Sequence, residues 1–174
     1  MKFYSLIFTL ISLLSSFVAC AADINVDYTY SGTAYDLSGM KKGPLQITVF
    51  SDARGLDNPR LLAAGGDQLE APVTEIIHSA LQQAFLANGA ILASTDAPLI
   101  LSGELIELTV TRTDAQVQIQ ARARAMLKDS NRTRWETVLF SRGSGASAEE
   151  AMRSMLGRLA QELLIDDYFL LELI

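Results

Sequence analysis

Cys20 is the only cysteine of the 174-residue chain, and its thiol is the clearest candidate for covalent chemistry. A single cysteine cannot form an internal disulfide. Cys20 follows a basic start at Lys2, an apolar run over residues 3–14 and small residues ending at Ala19, which is the layout of a bacterial secretory signal. Two interpretations follow. Either Cys20 is acylated as the first residue of a mature lipoprotein, or cleavage within Ala19-Cys20-Ala21 removes it or leaves it unmodified.

The residues around Cys20 favour acylation. Ala19 supplies the small residue that a lipoprotein signal has before its cysteine, whereas Phe17 stands where an aliphatic residue is typical. Ala21 follows the cysteine where an aspartate would favour retention in the inner membrane. The sequence therefore predicts a palmitate-bearing lipid anchor on Cys20 at the periplasmic face of the outer membrane. A soluble periplasmic protein is the alternative.

Other side chains give little sign of catalysis. His78 is the only histidine, and no cysteine or aspartate stands at ligand spacing from it. A metal site needs several converging ligands. Ser144 lies in Gly143-Ser144-Gly145, a predicted flexible linker between a strand and a helix, which lacks the Gly-x-Ser-x-Gly pattern of a strained nucleophile turn. The sequence predicts a protein that is not an enzyme and has no metal or other cofactor.

The charge balance excludes one class of partner. The chain has 14 basic and 20 acidic residues, a net charge of −6. Nucleic-acid binding requires many lysines and arginines to neutralise phosphates. We therefore expect no nucleic-acid partner.

Three groups of residues are candidates for contact with an envelope protein. Asp52 and Arg54 form either an internal ion pair that anchors the loop over 51–69 or part of a partner contact. Arg122 and Arg124 lie on the polar side of an alternating strand, which is either a solvated face or a docking surface for an anionic glycan or a protein.

The carboxyl-terminal run over 164–174 is the third group, because it is apolar nearly all round. Either it packs back on the core, or it presents Tyr168 and Phe169 to a partner.

The periodicity of apolar residues predicts an α+β fold. Alternation of polar and apolar residues predicts strands over 23–30, 45–50 and 116–128. Further strands are predicted over 90–93, 99–113 and 134–140, and apolar residues at helical spacing predict helices over 73–88 and 148–163. Such elements form a two-layer sandwich: a mostly antiparallel sheet of about five or six strands with two helices on one face. We expect a signal peptide over 1–20, an amino-terminal strand and linker over 21–43, and a single domain over 44–174.

This pattern resembles the YajG-like family of bacterial lipoproteins. The resemblance is carried by the leader ending at Cys20, the strand running into Asp52-Ala53-Arg54, the helix ending in Asn88-Gly89, and the final helix leading into 165–169. It implies a small cell-envelope lipoprotein and supplies no catalytic residues. We accordingly expect a non-enzymatic structural or interaction module, with a soluble accessory subunit of a transport or secretion assembly as the alternative.

Overall fold

The structure is a computed structural model in which residues 23–32, 35–64, 66–130 and 132–173 are described. The predicted signal peptide and Cys20 lie outside the described residues. The elements in chain order are β1 (Leu45–Ile47), β2 (Ser51–Asp52), α1 (Val73–Ala87), β3 (Leu99–Arg112), β4 (Val117–Lys128), β5 (Thr133–Gly145), α2 (Ala148–Leu164) and α3 (Asp167–Leu173).

The three long strands form an antiparallel meander, with β4 between β3 and β5. Every second side chain of β4 is buried beneath the helices, because successive side chains of a strand point to opposite faces. The buried set is Val117, Ile119, Ala121, Ala123, Ala125 and Leu127. The other side of the sheet, here called the open face, carries Glu104, Glu107 and Thr109 of β3, Gln118, Gln120, Arg122 and Arg124 of β4, and Glu136, Val138, Phe140 and Arg142 of β5. The predicted α+β sandwich is confirmed.

The strand predicted over 45–50 is divided into β1 and β2, which both pair with β3 in parallel. At this interruption the ring of Phe50 packs against Gly103 of β3. A Cβ at Gly103 of β3 would lie 2.4 Å from Cε2 of Phe50, so the ring fills the space that a side chain would need. The strand predicted over 90–93 is reduced to a single bridge between Leu45 and Leu92.

The amino-terminal strand predicted over 23–30 is wrong. Within it, Ile24 forms an isolated bridge with Leu69, and the remainder runs extended without joining the sheet. Tyr28 is buried and lines a cleft with Gly157 of α2, so this segment packs on the helix layer. An extended segment that covers helices alternates in burial just as a strand does, which explains the misleading pattern.

Both predicted helices are present, with the expected ends. Gly89 follows α1 with φ of 83°, the left-handed conformation that glycine adopts at low cost. At the start of α2, Oγ of Ser147 accepts a hydrogen bond from the backbone N–H of Glu150 at 3.2 Å. The carboxylate of Glu150 accepts in turn from the backbone N–H of Ala146 at 2.8 Å, one residue before the N-cap Ser147.

The carboxyl-terminal run contains a third helix, α3, which the spacing of apolar residues did not predict as a separate element. The ring of Phe169 in α3 meets that of Phe85 edge-on at 5.9 Å and that of Trp135 at 4.9 Å. Phe169 and Leu173 are fully buried. The apolar tail therefore packs back on the core, where α3 closes the space between α1 and β5.

The predicted linker Gly143-Ser144-Gly145 is instead the last part of β5. A Cβ at Gly143 would lie 2.1 Å from the carbonyl oxygen of Ala151 and 2.2 Å from the backbone nitrogen of Met155. These glycines thus allow the backbone of α2 to lie directly against the strand, rather than providing flexibility.

Candidate functional site

Asp52 and Arg54 form an internal ion pair at the end of β2. Nη2 of Arg54 donates to Oδ2 of Asp52 at 2.7 Å, and Nε donates to Oδ1 at 2.8 Å. The guanidinium also donates to the carbonyl oxygens of Pro59 at 3.0 Å and of Leu61 at 2.6 Å. These bonds tie the following loop to the sheet, which is the anchoring role expected from the sequence.

The environment of this pair changes the titration of Asp52. The Arg54 side chain is only 3% exposed. Its hydrogen bond to the carboxylate lowers the pKa of Asp52 below the ordinary value, against a smaller opposing effect of burial. The arginine is committed to contacts within the chain, so the pair acts as a structural clasp.

The loop clasped by Arg54 also holds the amino-terminal segment. Arg60 pairs with Asp23, and Nε of Arg60 donates to the carbonyl oxygen of Leu69 at 2.7 Å. Asp67 pairs with Arg112 at the end of β3. The first described residue is therefore fixed beside the helix layer at one end of the sheet.

Arg122 and Arg124 lie on the open face, as the alternation predicted, but each faces acidic residues. Nε of Arg122 is 3.5 Å from Glu107 of β3. Arg124 lies 3.4 Å from Glu104 of β3 and 3.5 Å from Glu136 of β5. All five side chains are about a third to a half exposed, so these pairs are screened by water. The strip is a ladder of alternating charges rather than a basic patch.

Next to this ladder the open face has a shallow groove of about 290 Å³. Gln120, Phe140 and Arg142 line it together with the ion pair of Arg122 and Glu107. Phe140 is 67% exposed, and Arg142 forms no ion pair within the described ranges. A groove with an aromatic ring beside an uncompensated cation has the composition of a docking site for a partner.

Phe140 and Arg142 were not among the residues predicted to contact a partner. The alternation of 134–140 already placed Phe140 on the same side as Glu136. Both side chains are accessible because they lie on the open face, and the sequence did not reveal that β5 stands at the edge of the sheet.

The carboxyl-terminal candidates separate in the structure. Tyr168 is 78% exposed, as a partner contact requires. Phe169 is fully buried between Phe85 and Trp135, so the expectation that it contacts a partner is wrong. Neighbouring side chains of a helix point in different directions, which allows Tyr168 to face solvent while Phe169 packs on the core.

Tyr28 lies in a second cleft of about 540 Å³ between the amino-terminal segment and α2. Arg153 and Arg158 of α2 also line this cleft. The hydroxyl of Tyr28 is buried and finds no hydrogen-bond partner among the described residues. Burial, with a smaller contribution from Tyr30, raises the pKa of Tyr28 to about 12. This hydroxyl is neutral at physiological pH.

The residues weighed for catalysis hold structural positions. Nε2 of His78 lies 2.9 Å from the carbonyl oxygen of Ile47, which ties α1 to β1. Ser144 stands in β5 on the open face. Over the described ranges, no three side chains of the ligating types are grouped so that they could hold a metal ion.

The helices give no sign of a membrane span. None of those in the described part of the chain has the length and apolar composition that crossing a bilayer demands.

Comparison with known families gives one match. The family model LptE, described as lipopolysaccharide-assembly, matches residues 45–166, from the start of β1 to just beyond α2. No curated protein matches the chain.

Solved structures share the fold. Protein XCC0632 from Xanthomonas campestris, assigned to family DUF330, matches with a TM-score of 0.67 at 16% identity, over 87% of this chain and 97% of the other. The hypothetical protein CT253 from Chlamydia trachomatis matches with a TM-score of 0.54 at 13% identity, over 74% of this chain and 96% of the other. At such identities the likeness establishes a common architecture and nothing about activity.

Proposed function

Because the chain belongs to the LptE family of lipopolysaccharide-assembly proteins, we propose that it is a lipid-anchored, non-enzymatic component of lipopolysaccharide assembly. Membership of the family puts the protein in the bacterial cell envelope. The proposal has three further parts. Cys20 carries the lipid anchor, the protein lies at the periplasmic face of the outer membrane, and it is related to the YajG-like lipoproteins. The family match over residues 45–166 is the observation that carries the proposal.

The position of the amino-terminal segment supports an anchoring role for Cys20. Three peptide units join Cys20 to Asp23, so an acylated cysteine holds Asp23 within about 10 Å of the bilayer surface. Asp23 lies beside Ala148 and Glu149 at the start of α2, on the helix side of the sheet. The helix layer therefore faces the membrane in this proposal, and the open face points toward the periplasm.

The open face then presents the docking surface. Both arginines of its charge ladder already face carboxylates, whereas the adjacent groove has the exposed ring of Phe140 and the cation of Arg142. Aromatic residues and arginine are the types that most often contribute binding energy in protein interfaces. We assign this groove, with Arg122 at its border, to contact with another protein of the assembly.

A complementation experiment tests this proposal. The chromosomal gene is depleted in its host bacterium, and the barrier of the outer membrane is measured as resistance to a large hydrophobic antibiotic. The wild-type chain restores resistance. The same domain behind a leader without a lipidation cysteine fails to restore it, although it accumulates in the periplasm to a similar level.

A matched pair of surface variants then tests the groove. Phe140→Ser combined with Arg142→Ser reduces complementation, because both docking groups are lost. Arg153→Ser, in the exposed pair with Glu149 on α2, leaves complementation unchanged. Depletion without any loss of the barrier contradicts the proposed function, and full rescue by the anchorless domain contradicts the anchor.

A further inference from the structure

β5 is a long edge strand whose outer side is free. It has 13 residues and contains no proline, and it is the terminal strand of the order β1-β3-β4-β5. Within the described residues, no backbone hydrogen bond joins β5 to any element other than β4. An edge of this length presents a row of unpaired N–H and C=O groups, which is a template for another strand.

The side chains beside this edge form an ordered series on the open face. Val138 and Phe140, which are 41% and 67% exposed, stand at the centre. Glu136 precedes them and Arg142 follows them. The edge thus has an apolar centre with a carboxylate at one end and a guanidinium at the other.

This series is complementary to itself when it is reversed. In an antiparallel pair centred on Leu139, Phe140 lies opposite Val138 of the second copy, and Arg142 lies opposite Glu136 of the second copy. Both pairs occur twice because of the two-fold symmetry. Opposite charges and an aromatic residue facing a β-branched one are the stabilising cross-strand combinations.

Other registers do not place both the charged pair and the apolar pair opposite each other. The register must change by an even number of residues, because an odd shift turns the side chains to the other face. A shift of two in one direction places Phe140 opposite Glu136, and a shift of two in the other places Val138 opposite Arg142. Each removes both favourable pairs. The second shift brings the two Phe140 rings opposite each other but leaves Arg142 and Glu136 without partners of opposite charge.

We propose that the protein forms a homodimer in which β5 pairs with β5 of a second copy, in the register centred on Leu139. The result is one continuous sheet, with all helices on one side and a single isologous interface. The two-fold axis is perpendicular to the sheet. Both Asp23 residues are then on the helix side, so two anchored copies can sit on one membrane surface.

Charge reversal tests the register. The full chain is produced with its own leader, extracted in mild detergent and examined by sedimentation equilibrium. Glu136→Arg and Arg142→Glu each raise the dissociation constant about tenfold, because like charges face each other twice. The double variant returns it to near the wild-type value. Glu70→Arg, the same change at an exposed position in the loop before α1, leaves it unchanged.

Disulfide trapping provides a second measurement in intact cells. Val138→Cys with Phe140→Cys gives a band of twice the monomer mass on oxidation, whereas Thr109→Cys with Thr111→Cys on β3 gives none. A circular dichroism melt of each variant verifies folding. A monomeric wild-type chain, a dimer indifferent to both charge reversals, or a strand of a different protein trapped along β5 in place of the second copy overturns the proposal.

Discussion

Arg54 and Asp52 are joined by two hydrogen bonds, from Nη2 to Oδ2 at 2.7 Å and from Nε to Oδ1 at 2.8 Å. The same guanidinium donates to the carbonyl oxygens of Pro59 and Leu61. One buried side chain therefore connects the end of β2 to the loop that fixes the amino-terminal segment. The position of the amino-terminal segment depends on this clasp.

Replacing Arg54 by methionine should lower the free energy of unfolding by about 3 kcal/mol, because it leaves a carboxylate and two carbonyl groups without their donor. Urea denaturation measures the change. Arg153→Met provides the control, since its pair with Glu149 is exposed and separated by 3.5 Å, and its loss should cost less than about 0.5 kcal/mol. Equal effects of the two substitutions would argue against a clasp at Arg54.

Acid should weaken the same clasp. The pKa of Asp52 is lowered in the folded chain from an ordinary value of 3.8 by its hydrogen bond with Arg54. Its contribution to stability is therefore complete above pH 3.8 and is lost as the pH falls through the lower folded value. The stability difference between wild type and Asp52→Asn should be constant from pH 5 to 7 and shrink toward pH 2. A difference that is independent of pH would show that ionisation of Asp52 contributes nothing.

Gly143→Ala should destabilise the fold by more than about 1 kcal/mol, because the new methyl group meets the backbone of α2 at 2.1 and 2.2 Å. Thermal unfolding followed by circular dichroism measures the loss. Gly39→Ala is the matched control, since a Cβ there meets nothing within 4 Å. If Gly143→Ala unfolds at the wild-type temperature, then α2 does not pack on β5 as described.

Tyr28→Phe should leave stability unchanged or raise it by about 1 kcal/mol. The hydroxyl of Tyr28 is buried without a hydrogen-bond partner among the described residues, so its removal relieves a desolvation cost. Tyr168→Phe, at an exposed position, should have no effect. A marked loss of stability in Tyr28→Phe would reveal a hydrogen bond at this hydroxyl.

The sequence predicted the elements with strong local periodicity and missed those that depend on distant packing. The alternation in β4 and the spacing in α1 each repeat often enough to identify the element type. In contrast, Gly143 resembled a linker residue because its role is set by the backbone of α2, which contacts β5 only after folding. The segment over 23–30 looked like a strand because burial against helices produces the same alternation.

The candidate site also combines features that the local sequence predicts with features that depend on the packing of distant residues. The outward direction of Arg122 and Arg124 followed from period two, whereas their carboxylate partners Glu104 and Glu107 depend on the register of β3 against β4. That register includes a shift between Leu105 and Glu107, which local sequence does not reveal. The position of β5 at the edge of the sheet is likewise not predicted by local sequence, because strand order is a property of the whole fold.

The proposed role in lipopolysaccharide assembly is tested most directly by following newly made lipopolysaccharide after the protein is depleted. Cells are pulse-labelled, and the labelled lipopolysaccharide that reaches the cell surface is quantified by its accessibility to an enzyme added outside. Our account predicts that label stays inaccessible in depleted cells and reaches the surface when the wild-type chain is restored. Normal arrival of lipopolysaccharide at the surface of depleted cells would contradict it.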